Sequence, residues 1–260
     1  PGARFGPRAI RAVSASQAWA RPYSWDVDPL EALAIVDYGD CHFDYGAPET
    51  APDAITRHVA GILNDGAACL ALGGDHFVTY PILKAFAKEY GPLSLVHFDA
   101  HSDTWPDEEG GGRVDHGTMF FHAVKEELVD DAHSVQIGLR TTNDEPLGFH
   151  ILDAPWVHEH GAAAVAARVR GIVGERPVYL TFDIDCLDPS CAPGTGTPVV
   201  GGLTTHQALS VVRGLGGINI VGADVVEVAP AYDVGEITAF AAATLATEFL
   251  CLFAARPDRS

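Results

Sequence analysis

Short, continuously apolar runs alternate along the chain with segments of helical period. The runs at 67–72, 93–98, 134–139, 177–183 and 219–228 are bounded by turn residues, as strands buried on both faces are. A further strand is expected at 32–37, ahead of a polar, Gly-containing loop. Between the runs, Ile55, Val59, Ile62 and Leu63 recur at helical spacing and predict a helix over 53–65, stopped by Gly66. Other helices are expected from Pro7, at 78–90 before Gly91-Pro92, after Asp115-His116-Gly117, at 162–173, at 204–214 and from residue 237. Strands alternating with helices indicate an α/β domain with a mainly parallel sheet. No repeat, linker or low-complexity tract divides it.

Polar clusters sit where strands give way to loops. Gly73-Gly74-Asp75-His76 follows the second expected strand, Asp99-Ala100-His101-Ser102-Asp103 the third, Asp183-Ile184-Asp185 closes the fifth, and Glu227 ends the sixth. In an open parallel sheet these carboxyl ends line the ligand crevice, so the four clusters are expected to meet on one edge. Asp99, His101 and Asp103 recur at every second residue, as do Asp183 and Asp185, and in extended backbone such side chains share a side.

Four buried carboxylates in one small volume need protonation, basic partners or metal ions. With His76 and His101 as neutral nitrogen donors, two divalent cations would balance them. Oxygen-rich ligation with a few imidazoles suits Mn(II) or Fe(II) better than structural zinc. Two such ions about 3.5–4 Å apart can share a hydroxide and generate a nucleophile near neutral pH. A plainer account makes the aspartates helix caps and the histidines satisfied core residues, but six such residues at three strand ends with matching period favour the metal site.

Composition narrows the partners. With 260 residues and 47% hydrophobic content the chain can bury a sizeable core as one domain. Its 16 Lys+Arg against 35 Asp+Glu give a formal net charge of -19, which argues against nucleic acid or an anionic membrane and is compatible with a cationic substrate. The five cysteines are odd in number and scattered, lack paired metal or redox spacing, and fit reduced thiols in a reducing cytosol. The apolar segment 237–255 carries Glu248 and reads as a buried helix, not a membrane span. The only methionine is Met119 and the chain opens on Pro1, so residues before Pro1 are expected. Arg4, Arg8 and Arg11 could bind an anion, but read as residues that cap, pair with acids or line a subunit contact.

Gly73-Gly74-Asp75-His76, Asp99-Ala100-His101-Ser102-Asp103 and Asp183-Ile184-Asp185-Cys186-Leu187-Asp188-Pro189, in that order, resemble the signatures of the ureohydrolase family, which includes arginase and agmatinase. The segments at 5–11, 115–120, 192–198 and 224–230 resemble the bacterial agmatinase branch in particular. The resemblance implies a single catalytic domain over 1–260 with a three-layer α/β/α, arginase-like fold, and a homo-oligomer, commonly a trimer or hexamer. It also implies two manganese ions per subunit, one on His76, Asp99, Asp103 and Asp183, the other on Asp99, His101, Asp183 and Asp185. Asp103 would in addition hydrogen-bond the bridging hydroxide and pass a proton to the leaving amine. Glu227 matches the family's guanidinium-binding glutamate and His116 its proton-shuttling histidine. Asp75 and Asp188 read as supporting or turn residues.

The expected reaction is hydrolysis of agmatine to putrescine and urea. Arginase-like proteins carry an Asn two residues beyond Asp-x-His-x-Asp, where this chain has Thr104-Trp105, which speaks against arginine and leaves agmatine or a guanidino acid such as 4-guanidinobutyrate. The long loop 104–115 is expected to be functional, and its Asp107, Glu108 and Glu109 could attract the substrate's ammonium, although acidic loops are commonly just solvated. A reading of another class is a non-catalytic polyamine- or metal-binding regulator.

Overall fold

The computed structural model describes residues 2–17, 21–106, 114–144 and 147–256. Asp107, Glu108 and Glu109 of the acidic loop lie outside the described residues. The six strands found among the described residues are β1 (Cys69–Leu72), β2 (Ser94–Phe98), β3 (Val135–Ile137), β4 (His150–Leu152), β5 (Val178–Asp183) and β6 (Ile220–Val226). They form one sheet in the order β1-β6-β5-β2-β3-β4, and every neighbouring pair is parallel. The helices are α1 (Gly6–Ser14), α2 (Pro29–Ala32), α3 (Ala51–Asn64), α4 (Thr79–Tyr90), α5 (Met119–Lys125), α6 (Ala154–Val173), α7 (Thr205–Gly214) and α8 (Ile237–Ala254).

Side chains on the two faces of the sheet enter two separate apolar clusters. One gathers Val96, Phe98, Leu180, Phe182 and Val225 with α1, α6, α7 and α8, and the other gathers Leu95, Tyr179 and Val221 with α3, α4 and α5. The alternation along β2 and β5 between these clusters is the period-2 signature of strands buried on both faces. Helix α8 packs on β6, α1 and α7, and its buried Glu248 accepts hydrogen bonds from Arg213 and from the Trp25 indole, so this apolar helix is a core element. Gly222 in β6 is required by close approach, because a Cβ there would meet the Phe86 ring at 2.3 Å.

Three expectations from the sequence need correction. Residues 32–37 form no strand: Ala32 ends α2, and Ile35 and Val36 are exposed, with Asp37 instead paired to Arg11. Strand β4 was not expected, being only three residues at the sheet's edge with no repeat long enough to read. Helix α6 begins eight residues before 162, but Gly161 breaks it at φ 77°, so the expected helix corresponds to its second piece.

Arg140, just beyond β3, ties the sheet to the loop that carries Asp185. Its guanidinium donates to the carbonyls of Asp185 (2.6 Å), Gly138 (3.0 Å), Cys186 (3.3 Å) and Val199 (2.7 and 3.0 Å). Only a planar fork with five N–H groups serves so many acceptors at once. Replacing it leaves several carbonyls without a donor, so Arg140→Met is expected to cost about 3 kcal/mol in chemical denaturation and Arg140→Lys to recover less than half of that. A loss below about 0.5 kcal/mol in Arg140→Met would contradict this role.

Candidate metal centre

Register brings the expected residues together. Leu72 lies beside Val225, Asp183 beside Val226, and Phe98 beside Phe182, so the carboxyl ends of β1, β6, β5 and β2 are level. The chain leaves β2 toward one edge of the sheet and leaves β5 toward the other, which opens a crevice between them. Asp99 follows β2, Asp183 ends β5, His76 follows the turn after β1, and Glu227 follows β6. That turn depends on Gly73, where a Cβ would meet Val226 Cγ1 at 2.6 Å.

Two donor groups result. His76 Nδ1 lies 3.1 Å from Asp99 Oδ2, 3.1 Å from Asp103 Oδ2 and 3.3 Å from Asp183 Oδ2. His101 Nδ1 lies 3.3 Å from Asp99 Oδ1 and 3.1 Å from Asp185 Oδ2. Asp99 thus faces both groups, one oxygen to each. His76, His97, Asp99 and Asp103 offer donor atoms all within 4.8 Å of one another, and so do Asp99, His101 and Asp185. All are buried except the half-buried His101.

Backbone amides hold the carboxylates in place. Asp99 Oδ1 accepts from His101 N at 2.6 Å, Asp183 Oδ1 from Asp185 N at 2.8 Å, and Asp185 Oδ1 from Ala100 N at 3.0 Å, so the two aspartate motifs interlock. Thr197 Oγ1 donates to Asp185 Oδ2 at 3.1 Å. Two of the six non-glycine residues with positive φ among those described are Asp103 (53°) and Glu227 (62°). Backbone held in this sparsely populated region costs about 1–3 kcal/mol and clusters at functional sites.

The tautomer of His76 tests whether a cation fits. Asp224, wholly buried, accepts hydroxyl bonds from Thr79 (2.8 Å), Tyr179 (2.8 Å) and Thr181 (2.6 Å). With its hydrogen given to Asp224, Thr181 Oγ1 accepts from His76 Nε2 at 2.8 Å. In the neutral ring His76 Nδ1 then presents a lone pair to three carboxylate oxygens, and it is a buried atom with no hydrogen-bond partner. An unprotonated nitrogen crowded by anionic oxygens suits a cation between them, so the residues present fit a metal.

The electrostatics carry the same demand for positive charge. Burial first, then the charge of Asp99, pushes Asp103 up to about 7. Burial and the charges of Asp185 and Asp99 raise Asp183 well above the ordinary carboxylate range, and burial with Asp99 raises Asp185. Burial opposes charge on the imidazoles, yet the neighbouring carboxylates win, lifting His76 well above its ordinary value and His101 to about 11. Asp99, despite burial, is held well below its ordinary value by His97, His101 and His76.

Glu227 Oε1 accepts from the His76 backbone N–H at 2.7 Å, so it stands beside the cluster, and burial raises its carboxyl. His116 is an exposed rim residue whose Nδ1 lies 3.5 Å from Asp75 Oδ2, and the hydrogen bond with Asp75 pushes it up to about 9. Asp75 caps the turn through Phe77 N, and Asp188 accepts from Ser190, Gly201 and Gly202, so both act in turns. Trp105 reaches across from the His101 ring (centroids 6.4 Å apart) to Gly117. His97, Gln136, Thr181, Asp224 and Arg140 support the cluster but were not singled out in the sequence. For His97 a signal existed, since His97, Asp99, His101 and Asp103 form one unbroken period-2 series. A groove of about 300 Å³ between α7 and α8 has a largely apolar lining and shares none of the donor residues.

These shifts set the pH response of the metal-free protein. His76, His101 and Asp103 bind protons more tightly folded than unfolded, so the contribution of the two histidines to stability is lost as pH rises through about 6.5 and above, and that of Asp103 is lost between about pH 4 and about pH 7. Cations require the same groups deprotonated, so stabilisation by Mn(II) is expected to grow between about pH 6 and about pH 8. Melting temperatures with Mn(II) and with EDTA at each pH check this; a difference that shrinks as pH rises would contradict it.

The Arginase family profile matches residues 1–252. An agmatinase of Chromobacterium violaceum is 59% identical over 252 residues, spanning 96% of this chain and 78% of the relative. The crystal structure of a hypothetical agmatinase from Burkholderia thailandensis superposes with a TM-score of 0.95 at 59% identity, covering 97% of this chain and 80% of that one. Proclavaminate amidino hydrolase from Streptomyces clavuligerus gives a TM-score of 0.90 at 40% identity, covering 98% and 86%. The sheet order, the donor cluster at its centre and these likenesses agree: the chain belongs to the arginase family.

Proposed function

We propose that this chain hydrolyses agmatine to putrescine and urea, using two divalent cations, manganese by preference. The observation that carries the reading is the set of four buried aspartates with buried His76 and half-buried His101, His76 Nδ1 lying among carboxylate oxygens. The 59% identity to a protein named agmatinase supports agmatine as the substrate. His76, Asp99, Asp103 and Asp183 would hold one ion, and Asp99, His101, Asp183 and Asp185 the other. Cations held there would supply the acidity that makes a water molecule a nucleophile near neutral pH.

The chain's own residues do the rest. Glu227, fixed at Oε1 by the His76 N–H, takes two parallel N–H bonds from the guanidinium and orients its carbon for attack. Asp103 takes up the proton lost by the attacking water and passes it toward the leaving nitrogen. His116, kept protonated by Asp75 and open to solvent, resupplies protons at the rim. A cationic guanidinium is drawn by the chain's formal net charge of -19.

The whole stretch 1–260 serves as one catalytic domain. The free cysteines, with no disulfide among the described residues, support a cytoplasmic location. The exposed apolar side chains Tyr23, Val36, Tyr38 and Tyr45 support burial against further copies in a homo-oligomer, a trimer or hexamer. The likeness to proclavaminate amidino hydrolase favours, as a second reading, a guanidino group carried on an acid.

Urea release from agmatine, arginine and 4-guanidinobutyrate, each with and without Mn(II), tests the proposal. Metal-dependent release from agmatine above the other two is expected, and no release from any substrate with any divalent metal would sink it. In the same assay Asp103→Asn is expected to lose about a hundredfold or more in kcat, so near-normal turnover would remove Asp103 from its role.

A further inference from the structure

We infer that His97, locked in one tautomer by Gln136, is a positioning residue for Asp99, the carboxylate whose two oxygens face the two histidine donors. The inference rests on the two-cation reading of the site. His97 is wholly buried in β2, with its ring edge-on to His76 and Phe120 at centroid distances of 5.3 and 4.7 Å. It precedes Asp99 by two residues and so shares its side of the strand.

The direction of each hydrogen bond is determined. Gln136 Nε2 lies 2.6 Å from Ser102 O and 3.0 Å from His97 Nδ1. A carbonyl oxygen only accepts, so the amide turns its NH2 group to Ser102, and the second hydrogen goes to His97 Nδ1. That nitrogen accepts, which places the ring proton on Nε2, 2.8 Å from Asp99 Oδ2. The orientation leaves Gln136 Oε1 buried without a partner. An unpaired buried acceptor is a cost of about 1–3 kcal/mol, retained here while the NH2 end serves His97 and Ser102.

Asp99 is thereby held at both oxygens, Oδ2 by His97 Nε2–H and Oδ1 by His101 N–H. Each oxygen keeps a lone pair for its own donor group. Without the His97 N–H the carboxylate is free to rotate about its Cβ–Cγ bond, and both groups lose an oxygen together. Coupled weakening of the two sites is what separates positioning from mere filling of the core.

His97→Phe keeps a ring in the core and removes the N–H, whereas His97→Gln restores a donor at the reach of Nε2. Each is stripped of metal and titrated with Mn(II), following free Mn(II) by electron paramagnetic resonance, and the melting temperature of each metal-free protein is recorded. His97→Phe is expected to lower Mn(II) affinity at both sites by about tenfold or more, with His97→Gln recovering most of it while the two metal-free variants melt alike. Binding of two ions within about threefold of the parent, or equal losses in Phe and Gln variants, overturns the inference. A parent that binds no Mn(II) sinks the two-cation reading and this inference with it, whereas a binding parent beside an unaffected His97→Phe sinks the inference alone. If His97→Phe does not fold, Gln136→Met serves: it frees the tautomer while keeping His97, weaker binding at both sites is expected, and unchanged affinity overturns the role.

Discussion

Four carboxylates, Asp99, Asp103, Asp183 and Asp185, converge where almost no water reaches, and their mutual repulsion is the constraint on which the rest of the structure depends. Protons and imidazoles relieve it only in part. His76 is oriented by Thr181 and Asp224 so that Nδ1 faces three of those oxygens, where it holds a proton in the metal-free protein and offers a lone pair once that proton is lost. A fold that pre-organises anionic donors in this way has left room in its charge balance for cations, and folding alone gives no return for the repulsion.

The surrounding structure works to hold these anions still. The amides of Ala100, His101 and Asp185 each donate to a carboxylate oxygen, and two of the three bonds are made within the motif that bears the aspartate. Arg140 gathers the carbonyls of the loop beneath Asp185, and left-handed backbone at Asp103 and Glu227 stores strain that the packed sheet ends sustain. Rigidity of this order is what guanidinium hydrolysis asks of a site, because the substrate carbon must stay over the nucleophile while charge moves.

Most of the sheet was legible because its central strands are apolar on both faces and end in polar motifs, as β2 does at Asp99 and β5 at Asp183. The six candidate donors stand out by residue type and by their place at strand ends, and not by extended spacing, because Asp103 takes left-handed backbone and Asp185 lies in a 3-10 turn over Ile184–Cys186. What escaped notice depends on partners remote in sequence. Ile35 and Val36 look like strand residues, but no neighbour pairs with them, and Arg11 draws Asp37 away instead. Gln136 reads as one polar residue in an apolar strand until His97 is placed opposite it, 39 residues away. Arg140 likewise has no local signature, because all its acceptors but Gly138 lie 45 to 59 residues on.

The proposed function makes the carboxylate cluster a two-cation centre. Anomalous diffraction collected at the manganese absorption edge from crystals grown with Mn(II) tests it most directly. Two peaks per chain are expected, one bordered by His76 and Asp103, the other by His101 and Asp185, with Asp99 between them. No peak at the cluster, or a single peak with His101 turned away from Asp99, would contradict it.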